Sequence, residues 1–177
     1  MEMLRAVGSI GEEIRQTRPF ASVAEEAVVT LVATASRVRE GLAEVCGRRG
    51  ITLQQYNVLR ILRGAGDAGL PTLDIAARMI DRSPGITRLI DRLEARRLVR
   101  RKRCPGDRRQ VLCHSTTEAR RLLAELDAPM SEAASRCFAP LEDARTLEIV
   151  ALLDQVRAAC GAVPRPEPLA EKNRSRH

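Results

Sequence analysis

Aromatic residues are nearly missing from this chain: there is no Trp, and Tyr56, Phe20 and Phe138 are the whole aromatic complement of 177 residues. A core without rings must be built from Leu, Ile, Val and Ala, a composition that favours helices. Long apolar runs are missing too. None approaches the roughly 20 residues that span a bilayer, and the opening MEMLRAVGSIGEE lacks the basic start and apolar block of a secretion signal, so a cytoplasmic protein without membrane contact is expected. The cysteines number five, an odd count scattered through a helical pattern, which fits reduced thiols better than a disulfide framework. Cys104, Cys113 and His114 have no second Cys or His pair at zinc-finger spacing to complete four ligands, so neither a metal nor a cofactor is expected. Adjacent strand positions point to opposite faces, which places Cys113 and His114 badly for proton transfer and speaks against an enzyme.

What the chain has in excess is positive charge. Lys and Arg number 30 against 23 acids, a net charge of +7 and a pI near 9.9. The excess is local: between Arg82 and Arg109 ten Arg and one Lys meet only Asp91, Glu94 and Asp107, a net +8 in 28 residues that leaves the remainder about neutral. Such a cluster points to a polyanionic partner. The length allows one well-buried domain with something left for extensions or partner contacts.

Residues 1–23 read as an N-terminal extension, because Gly8 and Gly11 weaken the helical spacing of Met3, Val7, Ile10 and Ile14. Residues 24–50 read as a long helix with an apolar stripe from Val28 through Leu31, Val32, Val38 and Leu42 to Val45. At Thr52 and Gln55 a capping box starts the next helix, with Ile51 and Tyr56 as its hydrophobic staple. A short helix follows from Thr72 to about Met79, with Leu73, Ala76 and Ala77 expected to face inward.

Ser83 as N-cap and Pro84 at the first helical position start a further helix. Ile86, Leu89, Ile90 and Leu93 form its inner face, and Thr87, Arg88, Asp91 and Arg92 its outer face. From Leu98 the period changes, and LVRRKRC and QVLCHS read as two strands joined at Pro105 to Arg109. Ser115 and Glu118 form another capping box, opening a helix that Pro129 is expected to kink or break. The last helix runs from Leu141 to about Ala159 and carries Leu147, Val150, Leu153 and Val156. Residues 51–115 thus read as a DNA-binding lobe, 116–160 as C-terminal dimerisation helices and 161–177 as a disordered, Pro-rich tail.

A short helix, a turn, a helix with a cationic outer face and a basic hairpin, in that order, describe a winged helix-turn-helix. An α-helix fits the major groove of duplex DNA, and an arginine at a hairpin tip, Arg108 or Arg109, suits the narrow and electronegative minor groove. Asp107 is spaced to hold the neighbouring arginine in pose. Arg101, like Arg96, Arg97 and Arg100, reads as a phosphate contact or solvated charge rather than a base reader.

Residues 25 to about 160 resemble the MarR family of bacterial transcription regulators. The wing sequence CPGDRRQVLCHSTTEA keeps Pro105, Asp107, Arg108, Arg109 and Thr116 of the family pattern, and departs from it at Cys104, Cys113, Ser115 and Ala119. Upstream, ITRLIDRLEARRLVRR is similar to the family's recognition-helix segment, with Arg97 where a glycine normally ends the helix in a left-handed conformation; either that substitution costs about 1 kcal/mol in strain or the helix ends differently. The resemblance implies a mainly α-helical homodimer with a two-stranded β wing, in which the terminal helices interlock and two winged lobes straddle a palindromic operator in double-stranded DNA. It carries Ser83, Pro84, Thr87 and Arg88 onto the recognition helix, and Asp107 and Arg109 onto the wing. It further implies a repressor released by a small-molecule effector, with aromatic or phenolic compounds among the candidates.

Two alternatives stay open at this level. Cys104 and Cys113 flank the wing tip, where oxidation could reshape it, giving thiol control of the same fold. The winged domain could also serve protein or RNA contacts, with duplex binding blind to sequence.

Overall fold

The computed structural model describes residues 9–81, 85–103 and 111–161. A short α1 (Ile10–Glu13) precedes the 25-residue α2 (Val23–Gly47), whose first turn is capped by the Ser22 hydroxyl accepting from the Glu25 N–H. The capping box at the next helix forms as read: Thr52 Oγ accepts from the Gln55 N–H at 3.1 Å, and Gln55 Oε1 accepts from the Thr52 N–H at 2.9 Å. This box opens α3 (Leu53–Ala65), and Ile51 and Tyr56 both enter the core. After a 3₁₀ turn come β1 (Leu70–Pro71), α4 (Thr72–Arg78), α5 (Ile86–Ala95), β2 (Val99–Arg103), β3 (Val111–Ser115), α6 (Thr117–Phe138) and α7 (Asp143–Ala159).

The expected two-stranded wing is present as β2 and β3, and among the described residues β1 adds a third strand to its sheet. β1 pairs with β3 through Leu70 to Cys113 and Pro71 to Leu112, so β3 lies at the centre and β2 at an edge. Gly69 leads into β1 with φ +66°, and a Cβ there would come within 2.5 Å of the His114 ring, so the close approach of β1 requires glycine. β1 also tethers the start of α4, and Ile75 is the buried position of that helix. This corrects the expected inner face: Leu73 is 71 % exposed and Ala77 points to solvent.

The onset of α5 also differs from expectation. Its N-cap is Gly85, at φ +122° and without a side-chain cap, and the first helical residue is Ile86; Ser83 and Pro84 lie outside the described residues. At the start of α6 the cap is Thr116, whose hydroxyl accepts from the Ala119 N–H, because Ser115 is the last residue of β3 and is buried opposite Val99. Pro129 does not end this helix. α6 runs through it for 22 residues, with Leu123 and Leu126 before it and Met130 and Ala133 after it all buried, so packing on both sides outweighs one missing hydrogen bond.

The core joins α3, α4, α5, the sheet and α6. Leu59, Leu62, Ile75, Ile90, Leu93 and Leu123 have no exposed surface, each such side chain contributing about 1.5–3 kcal/mol by leaving water. α2 enters this core towards its C-terminal end, with Val45 and Cys46 buried and Leu42 packed against the core's edge, and Cys46 Sγ lies 4.0 Å from Met130 Sδ.

Candidate nucleic-acid interface

α5 is strongly two-sided. Ile90 and Leu93 are buried, Ile86 and Leu89 half-buried, while Thr87, Arg88, Asp91 and Arg92 are exposed. The spacing of three and four residues that buries one face therefore presents Arg88 and Arg92 together on the other, one turn apart. Among the described residues no carboxylate lies in salt-bridge range of either arginine.

The C-terminal end of α5 is fixed by a Schellman motif. The Leu98 N–H donates to the Leu93 carbonyl at 2.9 Å and the Arg97 N–H to the Glu94 carbonyl at 2.8 Å. Arg97 sits at φ +59°, so of the two ends left open by the sequence the left-handed one is present. Its carbonyl accepts from the Thr116 hydroxyl at 2.8 Å, and the Leu98 carbonyl from the Thr116 N–H at 3.1 Å, tying the helix end to the start of α6. Arg96 donates to the Gly50 carbonyl at 2.5 Å and so serves the α2–α3 turn.

β2 then leads directly from that helix end into the wing. Arg100, Lys102 and Arg103 are exposed, but Arg101 is not equivalent to them. It shares a strand face with buried Val99 and keeps only 26 % of its side chain in solvent, with Nη2 at 2.7 Å from Asp91 Oδ1 and Nη1 at 2.5 Å from Glu94 Oε2. Burial opposes its charge, but the hydrogen bonds to Asp91 and Glu94 prevail and hold its pKa above the ordinary arginine value. This three-residue cluster was not read from the sequence. The signal was there: Asp91 and Glu94 stand three apart on one helix, and Arg101 alternates with Val99.

The wing tip, with Cys104, Asp107, Arg108 and Arg109, lies outside the described residues. Cys113 is fully buried in the central strand, with its Sγ 3.9 Å from the Thr72 hydroxyl, packed as a small core residue. His114 is buried beside it under Gly69; burial first, then the charges of Arg100 and Lys102, push its pKa down against the pull of Asp67. Among the described residues no group of three or more His, Cys, Asp or Glu forms a metal site, and no helix is long and apolar enough to cross a membrane.

A solvent-facing helix locked end-on to a basic edge strand, with a second strand paired to it, is the arrangement of a winged helix-turn-helix. The MarR family model matches residues 51–111. A MarR transcription factor from Planctomyces limnophilus is 36 % identical over 77 % of this chain and 99 % of its own, with a TM-score of 0.60. The chain belongs to the MarR family of transcription regulators. It is also similar to Bordetella bronchiseptica BpsR, at 28 % identity over 82 % of this chain and 99 % of that one, with a TM-score of 0.67; the DNA binding of BpsR is regulated by 6-hydroxynicotinic acid. Sco3205 of Streptomyces coelicolor, solved in complex with DNA, shares the fold at 22 % identity and a TM-score of 0.70, over 84 % of this chain and 95 % of its own. No curated protein sequence matches the chain.

Proposed function

We propose that the chain acts as a homodimeric repressor that binds a palindromic site in double-stranded DNA and is released by a small molecule. The observation that carries the DNA reading is the outer face of α5, where Arg88 and Arg92 stand exposed beside the cationic edge strand β2. In this reading Thr87 and Arg88, with Ser83 and Pro84, meet base edges in the major groove, while Arg92, Arg100, Lys102 and Arg103 neutralise phosphates. Arg109, or its neighbour Arg108, enters the minor groove with Asp107 holding it in pose.

The dimer reading rests on uncovered apolar surface. No residue of the 17-residue α7 is buried, although Leu147, Val150, Leu152, Leu153 and Val156 lie along it. An isolated helix of that length is marginal in water, so its apolar residues need a partner surface. A second copy offers one with the required symmetry, because the N-terminal half of α2 is equally bare at Val28 and Val32.

The effector reading rests on an open groove of about 550 Å³ along α2, lined by Val32, Ala35, Ala43 and Leu53 with Ser36, Arg39 and Glu40 at its polar side. Arg39 also holds Asp81 through two hydrogen bonds, at 2.9 and 3.3 Å. An occupant that engages Arg39 thereby acts on the segment leading to α5. The apolar lining with Arg39 at its polar side fits an apolar compound bearing an acidic or hydroxyl group, a class that includes aromatic and phenolic effectors.

The test is selection of bound sequences from a random duplex library at one fixed salt concentration, with sedimentation of the free protein at micromolar concentration. The expected result is a dimer that enriches a two-fold symmetric sequence. A monomer, or a dimer that enriches nothing, contradicts the proposal.

A further inference from the structure

We infer that Arg101 is a positioning residue that sets the angle between the wing and the recognition helix, and not a phosphate contact. The inference rests on the DNA-binding reading of α5 and β2 and assigns one more residue to it. Three observations carry it. Arg101 is the cation of β2 that faces inward, on the side of Val99. Its planar fork spans two carboxylates of α5, Asp91 and Glu94, which stand one turn apart on the helix that reads DNA. Its main chain joins in: the Arg101 N–H donates to Glu94 Oε1 at 3.2 Å, so Glu94 covers the open edge of β2 with its carboxylate.

The consequence is geometric. Beyond Arg101 the edge strand has only Lys102 and Arg103, paired with Leu112 and Val111, before the wing tip. The anchor is thus the last tie between α5 and the wing within the described residues, and any tip arginine is aimed from it. A guanidinium can bridge two carboxylates in fixed directions; an ammonium is a point charge and cannot reproduce the fork. A guanidinium already bound by two acids also has few donors left for phosphate, and the acids beside it would repel one.

The test compares three proteins on the sequence selected by the wild type and on random duplex, across a salt series, well below their melting temperatures. In Arg101→Lys the charge remains and the fork is lost. The expected result is a ratio of selected to random affinity that falls by about fivefold or more, with an unchanged salt slope and a melting temperature within a few degrees of wild type. The double variant Asp91→Asn with Glu94→Gln leaves the arginine in place and removes its charged partners. Positioning predicts the same fall in ratio there, whereas a phosphate contact predicts that the released arginine strengthens selected and random binding together. An Arg101→Lys protein that keeps the wild-type ratio overturns the inference, as does a double variant whose two affinities rise in step. A wild-type protein that selects no sequence overturns the DNA-binding reading and this inference with it, so the two failures are distinguishable.

Discussion

In the winged lobe Leu59, Leu62, Ile90 and Leu93 have no exposed surface, whereas Val28 and Val32 on α2 and Leu147 on α7 remain 60, 63 and 69 % exposed. Both regions are helical and both carry Leu and Val at helical spacing, so composition and periodicity do not separate them. What separates them is closure. The lobe packs α3, α4, α5 and α6 around a three-stranded sheet and buries most of its apolar residues within one chain, Leu73 and Ile80 excepted, while the distal part of α2 and all of α7 leave whole apolar stripes uncovered. The first arrangement frames α5 and the wing; the second is the surface that the proposed dimer would cover.

The comparison breaks most directly where the two regions are damaged in turn. Leu59→Ala should destabilise the lobe by about 2–5 kcal/mol, read by chemical denaturation, because it opens a cavity where no surface was exposed. The loss should be the same at low and high protein concentration if the lobe is closed within one chain. Leu147→Asp should instead leave the lobe folded and raise the dimer dissociation constant about 100-fold, since a charge would be placed in an apolar contact. Sedimentation checks this; an unchanged dimer would show that α7 is not part of the interface.

Much of this division was legible beforehand. The capping box at Thr52 and Gln55 and the two faces of α5 follow from local chemistry, and the structure has them as read; at Arg97, where the sequence left a strained or a different helix end open, the left-handed one is present. The readings that failed depended on tertiary context. Leu73 looks like a core residue from its spacing, but in α4, which follows directly on β1, Ile75 is the buried position and Leu73 faces solvent. Ser115 has cap chemistry, but strand pairing claims it and passes the role to Thr116. Pro129 was read as kinking or breaking its helix; the break does not occur, and α6 runs on past it with buried residues on both sides. In the candidate site, Arg88 and Arg92 were readable from periodicity; alternation also sets Arg101 apart from Arg100 and Lys102, but not from Arg103, and only the contacts with Asp91 and Glu94 distinguish those two. Charge counts do not reveal which arginines are already occupied.

Smaller effects sharpen the same frame. Arg97→Gly should stabilise the lobe by about 1 kcal/mol, because the left-handed conformation at φ +59° is strained for any residue but glycine. Thermal melting checks this, and no gain would mean that the arginine side chain compensates its strain. The pH response should be smaller still. His114 has a folded pKa below its ordinary 6.5, so the folded protein binds fewer protons than the unfolded chain. Its contribution is complete above about pH 6.5 and is lost as the pH falls below that value. The drop in melting temperature between about pH 7.5 and pH 5.5 should therefore be smaller in His114→Gln than in the wild type. An equal drop would assign the acid sensitivity to other groups.

The central claim is that the exposed face of α5 reads base sequence. Its most direct test is binding of the wild type and of Arg88→Ala to the selected palindrome and to random duplex at one salt concentration. The account predicts that Arg88→Ala loses about 1–3 kcal/mol on the palindrome, relaxes preference at one position in each half-site and changes random binding far less. An equal loss on both DNAs would contradict it, reducing α5 to a phosphate clamp.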